Sequence, residues 1–182
     1  VRKDVNAAWD LTSHDLSIFD FLLNELPLRV SCIGTHNLDN HIADTTYTSF
    51  VYPNGLIAHA HASWLNPRKV RQITVIGDKK MAVWDDLNLE NPLTIYDSSI
   101  GLDQSYYSDS FSSHRLSYKK GEVVLPAVRS NEPLLDEMQH FSDVIEGLIK
   151  CRSSGEYATE VVRSLSCANQ SLENNGVMVK IR

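Results

Sequence analysis

From Thr12 to Leu26 apolar residues recur at helical spacing, with Leu16, Phe19, Leu22 or Leu23 and Leu26 on one face. Thr12 and Asp15 fit a capping box, Thr12 as N-cap and Asp15 at the third helical position. Pro27 ends that helix, and the apolar run Val30 to Gly34 follows as a strand. The next stretch alternates with period two. Thr45 to Tyr52 leads into Pro53-Asn54-Gly55, a strong turn signal, and Leu56 to Leu65 returns. On the return strand Ala58, Ala60 and Ala62 take one face, and His59, His61 and Ser63 the other. Val70 to Ile76, Met81 to Trp84 and Leu93 to Tyr96 read as three more strands.

The polar segment Ser98 to Ser113 reads as a long surface loop or flap. Leu116 to Tyr118 and Val123 to Leu125 flank Lys119-Lys120-Gly121-Glu122 as a hairpin. Two helices follow. Asn131 caps the first, with Glu132 and Pro133 in its first turn and a stripe of Leu134, Met138, Phe141, Ile145 and Leu148. Ser154-Gly155 interrupts. Ala158, Val161, Leu165, Ala168 and Leu172 then form a second stripe, closed by Gly176. Val177 to Ile181 is a last short strand. Strands joined without intervening helices make a mainly antiparallel sheet. The expected fold is α+β: one open antiparallel sheet with helices on one face. Its other face needs a cover, for which a second subunit is the natural source.

Composition narrows the class. The 182 residues are 42% hydrophobic and 22% charged, which excludes a largely disordered chain. A chain of this length makes one domain, residues 1–182, with a core of its own. No apolar run approaches the roughly 20 residues of a membrane span. Lys and Arg number 17 against 23 Asp and Glu, a net charge of -6, so general nucleic-acid binding is disfavoured. Cys32, Cys151 and Cys167 are odd in number and lack metal-type spacing, which fits a reducing, cytoplasmic setting. The first residue is Val1 and no signal peptide follows, so the chain reads as a piece of a longer protein.

Asp10 and His14 are the first candidates for chemistry. A carboxylate and an imidazole four residues apart can converge where an extended segment turns into a helix. A His kept neutral in the first turn can accept a hydroxyl proton. From spacing alone, simple capping of the helix start is the plainer reading. His59 and His61, with His36 or His41, could contribute to a metal site, but no third ligand is pinned, and a polar sheet face is the plainer reading. His114 and His140 have no identifiable partner. Cys32 reads as core. Arg68, Lys69 and Arg71 follow Trp64-Leu65-Asn66-Pro67, and such a basic cluster beside an aromatic can hold an anion or form a solvated edge. There is no G-x-G-x-x-G turn, no G-x-S-x-G and no P-loop.

Several stretches, taken in order, resemble one family. They are Trp9-Asp10-Leu11-Thr12-Ser13-His14-Asp15-Leu16, Tyr52-Pro53-Asn54-Gly55, and Ser63-Trp64-Leu65-Asn66-Pro67 running into Lys69 and Arg71. Val75-Ile76-Gly77, Met81 to Asp86, Pro92 to Asp97, Glu132-Pro133-Leu134 and His140-Phe141 continue the set. The set resembles the C-terminal domain of the Gfo/Idh/MocA oxidoreductases, nearest the branch acting on nucleotide-linked or N-acetylated sugars. The resemblance implies a dihydrodipicolinate-reductase-like α+β fold and an N-terminal Rossmann domain, outside this chain, that binds NAD or NADP. It implies no metal. It further implies that His14 is the acid/base of a D-x-x-x-H motif and that Asp10 orients the substrate. Trp64, Arg68, Lys69 and Arg71 are then candidate contacts to a sugar or nucleotide-sugar, and the open sheet face builds a homodimer or tetramer. Many members carry glycines before the motif aspartate, where this chain has Ala7-Ala8-Trp9. The expected role is the substrate and oligomerisation domain of a sugar dehydrogenase, inactive by itself. The rival is a non-catalytic sugar-binding or oligomerising module, and a metal hydrolase around His59 and His61 is a third possibility.

Overall fold

The structure is a computed structural model, which describes residues 4–38, 41–97, 99–102, 116–119, 121–129 and 131–182. Of 99–102 and 116–119 it describes the backbone. In chain order, a π-helical turn Ala8–Thr12 runs into helix α1, Ser13–Leu23. Strands β1 (Arg29–Thr35), β2 (Thr45–Val51) and β3 (Ile57–Ser63) follow, the last two joined by the 3-10 turn Pro53–Gly55. Then come β4 (Gln72–Ile76), β5 (Met81–Asp85), β6 (Leu93–Tyr96), β7 (Ser99–Leu102), β8 (Leu116–Lys119) and β9 (Val123–Val124). Helices α2 (Pro133–Ile145) and α3 (Gly155–Glu173) and strand β10 (Val179–Lys180) end the chain. The mix of antiparallel sheets and helices is the expected α+β class.

The chain forms two compact units, Val1–Pro67 with His140–Arg182, and Arg68–Gln139. The first is built on a sheet of order β10-β1-β2-β3. All its pairs are antiparallel, with Cys32 opposite Thr48 and Thr48 opposite Ala60. The tight β2–β3 connection works because Asn54 and Gly55 both adopt positive φ, 61° and 78°. The period-two pattern holds on β3: Ala60 and Ala62 are buried while His59 and His61 are exposed. Val30, Cys32, Phe50 and Tyr52 pack with Leu16 of α1 and with Leu165 and Ala168 of α3. The second unit has a sheet of order β4-β5-β6-β9 and a separate β7-β8 pair.

Three local expectations are corrected. Thr12 does not cap α1: its backbone is helical (φ -68°, ψ -17°) and its side chain makes no capping bond. Asn6 takes that role, accepting from Trp9 N–H at 3.0 Å. The helical run therefore begins earlier, and α1 stops at Asn24 (φ 51°), before Pro27. The π-turn has a visible cause. Ala8, Thr12, Leu16 and Asp20 are all buried, a period of four that a plain 3.6-residue helix would rotate off the core. The second correction concerns the 116–125 hairpin. Strand β8 pairs with β7 instead, and β9 pairs with β6, Ile95 opposite Val124. Gly121 lies so close to the Asp97 backbone that a Cβ there would overlap its carbonyl, and Asp97 N–H bonds Glu122 C=O at 2.9 Å. Gly121 and Glu122 are thus the approach of β9 to β6. Third, the expected flap is a strand over 99–102, and its remaining part, with His114, lies outside the described residues.

Side-chain hydrogen bonds finish the first unit. Cys32 N–H donates to Ser171 Oγ at 2.9 Å, and Ser171 Oγ donates to Val177 C=O at 2.7 Å. Burial pushes the Cys32 thiol up, against a hydrogen bond from Thr48, so it is a core residue and no thiolate nucleophile. Ser154 caps α3 by accepting from Tyr157 N–H at 3.3 Å. Tyr52 Oη donates to Asp20 Oδ1 at 2.6 Å. Burial raises the Asp20 carboxyl to about 6, against the Tyr52 bond and the charge of Arg182. No helix among the described residues is long and apolar enough to cross a membrane.

Candidate functional site

Asp10 and His14 both project from the helical run that starts at Asn6. They sit two positions off the buried line of Ala8, Thr12 and Leu16, hence on its outward side. Asp10 is half-buried and His14 exposed. Residues four apart on a helix are neighbours on one face. The pair is therefore not at the mouth of a helix, as spacing suggested, but on a π-to-α junction with a turn of helix before it. π-Turns inside helices concentrate at functional sites.

Trp64 joins this junction. Its indole Nε1 donates to Asp10 Oδ2 at 2.9 Å, across 54 positions of sequence. The hydrogen bond unites two of the stretches singled out in the sequence, the Asp10–His14 motif and Ser63-Trp64. What holds Trp64 is Asp44, which no sequence signal exposed. Trp64 N–H donates to Asp44 C=O at 3.0 Å, and Ala7 N–H donates to Ala43 C=O at 2.9 Å. The segment entering β2 thus grips both the start of the helix and the tryptophan. Asp44 is buried, and its carboxylate accepts from Asn37 N–H (2.6 Å), Leu38 N–H (2.7 Å) and Asn37 Nδ2 (2.9 Å). Burial alone would raise its carboxyl; the bonds from Asn37 and Leu38 outweigh burial and hold it below the usual carboxylate range. Asn6 fixes the helix start from the other side, donating to Asn169 Oδ1 of α3 at 2.8 Å.

The remaining candidates fall elsewhere. Arg68, Lys69 and Arg71 belong to the second unit and are exposed. Arg71 Nη1 lies 3.5 Å from Asp86 Oδ2, an exposed pair of small energetic weight. His59 Nδ1 is 2.9 Å from Ser49 Oγ, and His61 stacks on Tyr47 with ring centroids 4.4 Å apart. No group of three or more His, Cys, Asp or Glu that could hold a metal occurs among the described residues. His140, without a partner in the sequence reading, accepts from Arg152 N–H at 3.2 Å and ties down the loop before α3. The outer face of the first sheet carries Ile33, Tyr47 and Ile57, all exposed, beside the two histidines.

Comparison with known proteins agrees with the sequence resemblance. The family profile described as GFO/IDH/MocA C-terminal domain matches residues 2–83. No curated protein matches the sequence. Among solved structures, the chain is similar to UDP-N-acetylglucosamine 3-dehydrogenase GnnA from Acidithiobacillus ferrooxidans, with 20% identity and a TM-score of 0.74 over 94% of this chain and 48% of that one. It is similar to the aldose-aldose oxidoreductase from Caulobacter crescentus at 14% identity and a TM-score of 0.69, over 97% of this chain and 48% of that one. The WlbA dehydrogenase from Bordetella pertussis, solved with NADH and UDP-GlcNAcA, is similar at 13% identity and a TM-score of 0.64, over 97% of this chain and 45% of that one. The chain thus spans about half the length of these structures. Residues 2–83 thus match the model of the GFO/IDH/MocA C-terminal domain, and the fold is similar to that of the dehydrogenase structures named above.

Proposed function

We propose that these 182 residues are the substrate and oligomerisation domain of an NAD(P)-dependent oxidoreductase that interconverts a sugar hydroxyl and a ketone. A nucleotide-linked sugar is the favoured substrate. The observation that carries this reading is the Trp64–Asp10 hydrogen bond at the π-turn bearing His14. It ties an aromatic ring to a carboxylate four residues before the His14 imidazole. Those three groups suit a polyol: rings stack on sugar faces, and acid–base pairs handle its hydroxyl protons.

In the proposed reaction His14 takes the hydroxyl proton as the carbinol carbon gives up its hydride, and returns it in reduction. Asp10, oriented by Trp64, positions the neighbouring hydroxyl or imidazole. A bound nicotinamide supplies the hydride acceptor or donor. No two of the eight glycines stand two residues apart, so the chain lacks the G-x-G turn of a dinucleotide cradle. The cofactor is therefore assigned mainly to a domain outside these residues, and the chain alone is expected to be inactive. Arg68 and Lys69 are assigned to an anionic part of substrate or cofactor. Arg71 joins them only by leaving Asp86. The outer sheet face, with Ile33, Tyr47 and Ile57 exposed, is assigned to a homodimer or tetramer in the cytoplasm.

The test is His14→Ala in a protein that also contains the dinucleotide-binding half. Turnover should fall at least the ~100-fold usual for a lost acid/base, and near-normal turnover would sink the assignment. A non-catalytic sugar-binding or oligomerising module is the second reading, favoured by the Trp64–Asp10 bond, which a purely structural tie would also explain. Calorimetry with a UDP-sugar separates binder from scaffold, and light scattering reads assembly.

A further inference from the structure

We propose that Asn169, on α3, is a positioning residue for the Asp10–His14 pair and acts on it through Asn6, 163 positions away in the sequence. The chemistry it serves rests on the catalytic reading above. What it adds is a polar relay that sets how the π-turn presents Asp10 to Trp64.

Asn6 meets the helical run at two backbone groups. Trp9 N–H donates to Asn6 Oδ1 at 3.0 Å, and Asp10 N–H donates to the Asn6 carbonyl at 3.1 Å. Asn6 Nδ2 donates in turn to Asn169 Oδ1 at 2.8 Å, and Asn169 Nδ2 donates to Glu173 Oε1 at 2.7 Å. The side-chain bonds all point one way, from the backbone of the π-turn to a carboxylate on α3. Glu173 thereby sets which end of the Asn169 amide faces Asn6, because only the oxygen can take an Asn6 N–H. Bonds aligned in one direction and ending on a charge reinforce one another.

The need for such an anchor comes from the π-turn itself. Ala8–Thr12 holds about one residue more than an α-helical turn would. Were it to relax to α-helical geometry, the residues leading into it would swing by up to about 100° around the axis relative to His14. Asp10, inside the turn, would swing by part of that angle and draw its carboxylate away from Trp64 Nε1, now at 2.9 Å. The start of the run is held at two points on different elements. Ala7 N–H bonds Ala43 C=O at the entry to β2, and Asn6 bonds Asn169 on α3. One such point pins the chain and leaves rotation about it open. The second point, supplied by Asn169, stops the rotation.

The test compares Asn169→Leu, of similar size without polar side-chain atoms, with Asn169→Asp, which keeps an oxygen for Asn6. In the 182-residue chain, hydrogen exchange of the Trp64 indole N–H, followed by NMR, should quicken about tenfold or more in Asn169→Leu and stay within about threefold of wild type in Asn169→Asp. The Cys32 amide, which rests on Ser171 Oγ of the same helix at 2.9 Å, should not change. Should Asn169→Leu not fold, Asn169→Ala replaces it with the same expectations. In a protein that adds the dinucleotide-binding half, Asn169→Leu should lower kcat about tenfold with KM little changed, and Asn169→Asp should restore it. Unmoved Trp64 exchange in Asn169→Leu, equal acceleration in both variants, or acceleration of the Cys32 amide alongside would overturn the proposal. So would a normal kcat in Asn169→Leu where His14→Ala is impaired, and the catalytic reading would then still stand. Near-normal turnover in His14→Ala sinks the catalytic reading instead, and the Trp64 exchange then settles the positioning role by itself.

Discussion

Trp64 Nε1 and Asp10 Oδ2 lie 2.9 Å apart, a hydrogen bond from an edge residue just past β3 to the π-turn before α1. A bond to a charged acceptor contributes about 1.5–3 kcal/mol, and it also fixes which way the carboxylate faces. Trp64→Phe keeps a ring and removes the donor. In a protein with its cofactor half, kcat/KM should drop about 10–100-fold, with the larger part in kcat, while the melting temperature moves little. Unchanged kinetics would mean that Asp10 needs no orientation from Trp64.

Asp20 makes stability depend on pH in an unusual direction. Its folded pKa is about 6 against an ordinary value of 3.8, so between these values the native state holds more protons than the unfolded one. Stability must then fall as pH rises from about 4 to 6, by at most about 3 kcal/mol from this group, and stay reduced above. Tyr52, Tyr157 and Arg182 act on it, and both tyrosine hydroxyls are pushed up, far above that window. Urea unfolding of Asp20→Asn across pH 4–7.5 should show a flatter profile than wild type and greater stability at pH 7.5.

Asp44 contributes in the opposite sense. Its folded pKa is lowered, so its stabilisation is present above the unfolded value and is lost as pH falls through the folded one. Asp44→Ala removes acceptors for three donors at 2.6–2.9 Å. A loss of about 2–4 kcal/mol is expected. Hydrogen exchange should accelerate first at the amides of Asn37 and Leu38 and then at Trp64, whose N–H rests on the Asp44 carbonyl.

Gly121→Ala tests the second unit. A methyl there collides with the carbonyl of Asp97, a backbone atom that cannot swing aside. The β6–β9 pairing should be lost, with faster exchange of the Asp97 amide, and destabilisation should exceed about 2 kcal/mol. Wild-type exchange at Asp97 would show that the approach is not as close as described.

Much of the architecture was legible because its causes are local. Period two on β3 placed Ala60 and Ala62 inward, and the stripe on α3 placed Leu165 and Ala168 in the core. Pro53-Asn54-Gly55 announced residues suited to the positive φ that the turn requires. The helix start was misread because Thr12 and Asp15 satisfy a local pattern, while Asn6 wins by reaching Asn169 on a distant helix. A four-residue period over Ala8, Thr12, Leu16 and Asp20 was present in the sequence, but Thr12 and Asp20 are polar and hid it. The 116–125 hairpin failed for the same reason: Gly121 looked like a turn and is a close approach to another strand. At the site, Asp10, His14 and Trp64 were legible as motif residues, whereas Asp44 reaches Trp64 through its backbone carbonyl, which sequence pattern does not display.

The pairing of β10 with β1, Arg29 opposite Lys180 and Val30 opposite Val179, joins the last strand to the first. The second unit, Arg68–Gln139, is inserted between the two portions of the first. On the ribosome, helix α1 and the β1–β2–β3 meander emerge before α3, which buries their inner face. They must wait with Val30, Cys32 and Phe50 uncovered while the whole inserted unit is translated. The second unit, continuous in sequence, is free to mature first, and the surface bearing Asp10, His14 and Trp64 acquires its support from Asn169 only after the whole inserted unit has been made.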